Sequence, residues 1–247
     1  VGYEFSAILW EFIRKINISF VPANQCYITS DGAPLTVTPV LQYVSLFIDY
    51  IFLDAPERRM FSQMNHEYLM EQVQFTGSGD SFNNSSVREN INFSHPTKEL
   101  IWVVQPDGNV VNGANRWTDF TDSGTAGTPY AGNNPCIQAK IQLNTHDRIT
   151  LRPIAYFNLL QPYFHHTRVP STGINVYSFA LEPEKHQPSG SINLSRIENV
   201  ALQLSLTTGT NPVRVYPWGV NYNVFRVTTG INSNCAEKYP PIYIQAL

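Results

Sequence analysis

The sequence predicts an all-β protein, a β-sandwich or jelly roll with short helical pieces in its loops, on three observations. About eight short segments carry strand-like patterns and are separated by turn-rich text. Helical signals are few and brief. A length of 247 residues suits one large all-β domain, or one domain with part of another.

The first 36 residues stand apart. Phe5, Ile8, Leu9, Phe12, Ile13 and Ile16 have helical spacing, yet RKINISFV also reads as a strand, and periodicity leaves both open. SDGAPLTVTP then has the composition of a linker. Residues 42 to 54, QYVSLFIDYIFLD, read as a long strand. Val44, Leu46, Ile48, Tyr50 and Phe52 lie on one face, with Tyr43, Phe47, Ile51 and Leu53 on the other. Apolar residues on both faces predict that the outer face is covered too. Asp54-Ala55-Pro56-Glu57 is a helix start, with Asp54 as N-cap, Pro56 in the first turn and Glu57 at the third position. The helix should run to about Met64.

Further strands are predicted at 66 to 75, 99 to 105, 137 to 143, 149 to 158, 174 to 181, 199 to 206 and 213 to 228. The cleanest is VALQLSL: Val200, Leu202, Leu204 and Leu206 face one way, and Ala201, Gln203 and Ser205 the other. Two connections are long, 76 to 98 and 106 to 136. The second is so polar that it is expected to be the most exposed and conformationally variable part, with Asn115, Arg116 and Trp117 on an exposed loop. Pro188, Ser189 and Gly190 read as a corner closing the VYSFAL strand. Arg196 and Glu198, two apart on an expected strand, would share a face and are a candidate subunit contact.

Charged residues make up 14% of the chain, against roughly 25% in an ordinary globular protein. A surface made polar by amides and hydroxyls suits packing against like neighbours. The net charge of −3 offers no basic footprint for direct nucleic-acid contact. Cys26, Cys136 and Cys235 form no CxxC pair, against a disulfide framework or a zinc ribbon and weakly in favour of a reducing compartment. No apolar run approaches the roughly 18 residues needed to cross a bilayer, so membrane insertion is not expected. The text opens abruptly on Val1, which predicts a piece of a longer polypeptide.

Catalytic equipment is not visible. There is no G-x-S-x-G elbow, TGSGDS lacks the spacing and following helix of a phosphate loop, and Glu182/Glu184 is an ordinary acidic pair. A cupin-like metal site would have to use His165-His166 with Glu182, Glu184 and His186. Adjacent strand residues point to opposite faces, so the pair would not readily serve one ion. The sequons at Asn17, Asn83, Asn84, Asn92 and Asn193 are about the chance number for this composition. No catalytic residue, metal or cofactor is expected. An aromatic and Asn-bearing loop, NGANRWTDF, leaves a carbohydrate-binding or receptor-binding jelly roll as the alternative.

YFNLLQPYFHHTRVPSTGINVYSFALEPEKHQPSGSINLSRIENVAL, residues 156 to 202, is very similar to the signature region of the major capsid proteins of nucleocytoplasmic large DNA viruses. FIDYIFLDAPERRMFSQMNHEYLMEQVQF, FSHPTKELIWVVQ, NTHDR and YNVFRVTTG match in the same order. The matched motif positions include Asp54, Glu57, Arg58, His165, His166, Pro188, Ser189, Gly190, Asn193, Ser195 and Arg196. The resemblance implies two tandem jelly rolls. Residues 37–247 would be the second, and 1–36 the remnant of the first plus a linker, with a strand at about 11 to 21. It further implies trimers that form pseudo-hexagonal capsomers and an icosahedral shell, assembled in the host cytoplasm and met by minor capsid proteins. A lattice scaffold of the same lineage that is absent from the virion would share these features.

Overall fold

The computed structural model describes residues 18–28, 37, 39–45, 47, 52–77, 81–110, 115–124, 128–207, 212–227 and 244–245. The chain divides into two compact units, one of Val1–Ala23, Val37–Leu69 and Val224–Leu247, the other of Asn24–Thr36 and Met70–Asn223.

In the first unit β1 (Ile18–Ser19) pairs in parallel with β11 (Ile244–Gln245). Helix α1 (Ala55–Gln63) begins as the sequence predicts: Asp54 and Glu57 form a capping box, and the Asp54 N–H donates to Glu57 Oε2 at 3.4 Å. Arg58 lies within this helix. The long strand expected over 42 to 54 is not found in residues 42–45, 47 and 52–54; residues 46 and 48–51 fall outside the described set. A strand needs a neighbour for its N–H and C=O groups, and no described ladder includes this segment. Phe47 and Phe52 are accordingly 93% and 90% exposed. Of the 11 to 21 strand only Ile18 and Ser19 are observed as such; residues 11–17 lie outside the described residues.

The remaining strands build two sheets. One runs β3-β9-β5-β6, from Ser86–Asn90, Val200–Leu206, Cys136–Leu143 and His146–Pro153, all neighbours antiparallel. The other runs β2-β10-β4-β7, from His66–Phe75, Val213–Val227, Pro96–Pro106 and Ile174–Ser178, with β8 (Ile192–Asn193) added on β4. A single helical turn, α2 (Asp107–Val110), follows β4 directly. Strand alternation sends one set of side chains from each sheet into a shared core. Ala139, Ile141, Leu202 and Leu204 come from the first sheet, and Leu100, Trp102, Val104 and Val215 from the second. Two antiparallel sheets over one core, with short helical pieces, are the architecture of a jelly-roll sandwich.

Two elements depart from the sequence reading. The strand expected over 149 to 158 stops at Pro153, and the chain turns into a π-helix (Tyr156–Leu160) continued by α3 (Gln161–His165). Phe157 is fully buried from this helix and packs edge-to-face on Trp102 at 5.1 Å. Strand β3 lies inside the stretch that reads as a long connection; among its residues only Val87 is apolar and buried, as befits an edge. β5 and β6 are joined by the two-residue loop Asn144-Thr145, with φ of 47° and 71°, the left-handed pair of a tight hairpin.

Candidate functional site

The signature segment works as a clamp on the start of β4. Helix α3 ends at His165, and the two histidines diverge. His165 Nδ1 lies 2.9 Å from the Leu181 carbonyl, while His166 Nε2 lies 2.9 Å from Glu99 Oε2 on β4. The pair therefore sits at a helix exit instead of on a strand, and each ring has its own partner. Thr167 donates from its N–H and hydroxyl to the Glu184 carboxylate at 3.0 and 3.3 Å. One residue before Glu99, Lys98 is nearly buried. It pairs with Glu71 of β2 at 2.8 Å, donates to the Pro183 carbonyl at 2.6 Å and stands 5.7 Å from the Tyr222 ring centre. Burying the ammonium is tolerable because charge and hydrogen-bond acceptors surround it.

The corner at 181–190 closes on itself. Glu182 N–H donates to Ser189 Oγ at 2.9 Å, and Leu181 N–H to the Ser189 carbonyl at 3.4 Å. Gly190 has φ +141°, and a Cβ there would come 3.0 Å from the Phe179 carbonyl oxygen, so this position favours glycine. Pro188 is exposed on the turn. Next, Asn193 pairs with Pro96 and caps a 3-10 turn (Leu194–Arg196) by accepting from Ser195 N–H at 3.1 Å. The Ser195 hydroxyl in turn accepts from His95 N–H at 2.7 Å. Arg196 and Glu198 are both exposed, but Arg196 closes the 3-10 turn and Glu198 precedes β9, so they do not share a strand face. The alternation of INLSRIE imitates the beginning of β9 without belonging to it.

The loop predicted to be exposed is instead folded around a polar core. Arg116 is 1% exposed, and Asn109, Asp119 and Thr121 are also buried. Asn115 and Trp117 are half-buried. Polarity does not prevent burial when the groups satisfy one another. Arg116 donates from Nη1 to the Gly124 carbonyl, and Asn109 Nδ2 donates to the carbonyls of Asp119 and Thr121 at 2.9 and 3.0 Å. The Asp119 carboxylate accepts from the Thr121 hydroxyl at 2.6 Å, Thr121 N–H at 3.0 Å, Tyr130 N–H at 3.0 Å and the Ser123 hydroxyl at 3.0 Å. Burial pushes the Asp119 carboxyl up, yet these hydrogen bonds outweigh it and hold the group below the usual carboxylate range.

Chemically the arrangement fastens elements together. Among the described residues no three or more His, Cys, Asp or Glu side chains are grouped to hold a metal ion. Cys136 is a buried thiol, and burial pushes it up to about 12, leaving little of the reactive thiolate. No helix among the described residues is long and apolar enough to cross a membrane. Sequence reasoning missed Glu71, Lys98 and Glu99. Lys98 and Glu99 are signalled only by a Lys-Glu pair leading directly into the apolar run LIWVV, and Glu71 is one charge within a strand pattern.

Known proteins resemble this chain in sequence and in fold. The family model for the large eukaryotic DNA virus major capsid protein matches residues 57–233. The major capsid protein of Phaeocystis pouchetii virus is 38% identical over 88% of this chain and 59% of its own length. That of Pyramimonas orientalis virus is 44% identical over 77% of this chain and 48% of its own length. The chain thus spans about half the length of the curated relatives it matches. Among solved structures, a quasi-atomic model of the PBCV-1 virus capsid superposes with a TM-score of 0.59 at 32% identity, over 73% of this chain and 54% of that one. The Faustovirus major capsid protein, at 13% identity and TM-score 0.56 over 72% of this chain and 36% of that one, is a likeness of fold alone. Identity this high across most of the sequence, carried on a matching sandwich, assigns the chain to the large eukaryotic DNA virus major capsid protein family.

Proposed function

We propose that this chain is the C-terminal jelly-roll portion of a structural capsid subunit. Residues 37–247 form the second jelly roll, and 1–36 are the end of the first with its linker. The whole polypeptide associates as a homotrimer whose six jelly rolls make a pseudo-hexagonal capsomer. Capsomers tile the icosahedral shell of a large double-stranded DNA virus, with minor capsid proteins as further partners and assembly in the host cytoplasm. The protein acts by shape and buried area, without a cofactor, direct nucleic-acid contact or membrane insertion. The observation that supports this reading most strongly is the family match over 57–233, which spans the sandwich strands β2 to β10. Within this reading the motif residues His165, His166, Ser189, Gly190, Asn193 and Ser195 hold the wall rigid. Arg196 and Glu198, both exposed, are candidate contacts to a neighbour.

The carbohydrate-binding alternative rests on NGANRWTDF, and Arg116 of that loop is turned inward. Quantitative mass spectrometry of purified virions tests the virion role. The polypeptide should be a dominant structural component; its absence from virions that accompany abundant intracellular protein would favour a discarded scaffold.

A further inference from the structure

The helix that carries the signature segment has one face locked and one face bare. On the locked side Phe157, Asn158, Gln161 and Pro162 are buried. Asn158 Nδ2 donates to the Ile174 carbonyl at 2.7 Å, and Gln161 both accepts from Ser178 N–H at 3.2 Å and donates to the Tyr156 hydroxyl at 2.9 Å. The bonds to Ile174 and Ser178 pin the helix to β7. On the other side Leu159, Leu160, Tyr163 and Phe164 are 51%, 48%, 73% and 70% exposed. Leu159 with Tyr163, and Leu160 with Phe164, are four apart and so share a helix face. The Tyr163 and Phe164 rings meet edge-to-face at 5.5 Å. Leu181, 71% exposed, is brought beside the helix end by the contact of its carbonyl with His165.

We propose that Leu159, Leu160, Tyr163, Phe164 and Leu181 form a ridge that docks a second copy of this chain. The identity of the occupant rests on the self-associating subunit proposed above; the ridge itself rests on the geometry. These five side chains expose on the order of 600 Å², at the upper end of the largest apolar patch on an ordinary monomer and approaching the roughly 800 Å² that each partner buries in a standard interface. Side chains standing this clear of the surface are knobs, whereas a small-molecule site is concave and lined with convergent polar groups. The ridge is also held in place before it meets anything, so little ordering entropy is lost on docking. In a closed ring of three identical subunits the contact is heterologous. The ridge of one copy therefore meets a different face of the next.

The test uses the full polypeptide that contains this sequence. In sedimentation velocity the double variant Tyr163→Ser/Phe164→Ser should weaken self-association by about a hundredfold, as expected for loss of two aromatic anchors. Its unfolding midpoint as a monomer should stay within a degree or two, since both side chains are exposed. A second arm labels the variant Tyr163→Cys with a maleimide, against the wild-type background. The introduced thiol should be protected at least tenfold in the oligomer and react freely after dissociation. A wild-type oligomer left intact by the double variant, or equal labelling of the introduced thiol in both states, overturns the ridge and leaves the subunit reading standing. Protection that persists in the dissociated monomer also overturns it, because another part of the same polypeptide would then cover the ridge. A wild-type protein that never associates removes the subunit reading itself. Should the double variant fail to fold, the labelling arm decides.

Discussion

His166 Nε2 lies 2.9 Å from Glu99 Oε2, both side chains are largely shielded from solvent, and this contact ties the exit of α3 to the buried start of β4. Replacing His166 by Ala leaves the Glu99 carboxylate shielded without that partner. The expected cost is about 1–3 kcal/mol of stability, the penalty for stranding a buried polar group. Chemical denaturation of the purified protein measures it, and a midpoint unchanged within error would show that water replaces the imidazole freely.

The Lys98–Glu71 pair makes a sharper test because the two halves are unequally buried, with side-chain exposures of 3% and 28%. Glu71→Gln should cost about 1–3 kcal/mol, less than for a fully buried pair because Glu71 reaches solvent. The double variant Lys98→Met/Glu71→Leu should recover much of that loss, since it removes the buried charge together with its partner. Additive losses in a denaturation cycle of Lys98→Met, Glu71→Leu and their combination would contradict this account.

Asp119 ties Thr121, Ser123 and Tyr130 together through four hydrogen bonds to its carboxylate. Its folded-state pKa lies below the unfolded value of 3.8, so it contributes stability that is fully present above that value and is lost as pH falls through the folded pKa. The loop should therefore hold its structure down to about pH 4 and loosen only below it. Trp117 fluorescence followed against pH should change in that acid range. Asp119→Asn should shift or abolish the transition, and a wild-type transition near pH 6 would point to a different group.

Thr145 holds φ at 71° in the β5–β6 hairpin, where a β-branched residue is disfavoured. Thr145→Gly should raise stability by about 0.5–1 kcal/mol, the relief of strain exceeding the entropy that glycine adds to the unfolded chain. Thermal unfolding reads this as a midpoint raised by a few degrees; a lowered midpoint would mean that the hydroxyl or methyl makes a compensating contact.

Legibility in the sequence follows the physics of each segment. α1 is readable because Asp54, Pro56 and Glu57 are local signals, and β9 because VALQLSL alternates against a single core. The β6 boundary is overrun because RPIAYFNLL is apolar in a pattern that both a strand and a helix can bury; Asn158 and Gln161, which pin the helix to β7, look ordinary in isolation. The long polar loop misleads for a different reason. Composition records that Arg116 and Asp119 prefer water, but not that the surrounding carbonyls and hydroxyls would replace it. Residues 42–45, 47 and 52–54 have the pattern of a strand, but pairing depends on a neighbour that pattern alone does not supply.

The central claim, that this chain is part of a self-associating capsid subunit, is tested most directly by sedimentation velocity on the complete polypeptide at high concentration without added cofactor. A trimer is predicted. A protein that remains strictly monomeric across the accessible concentration range would contradict the account.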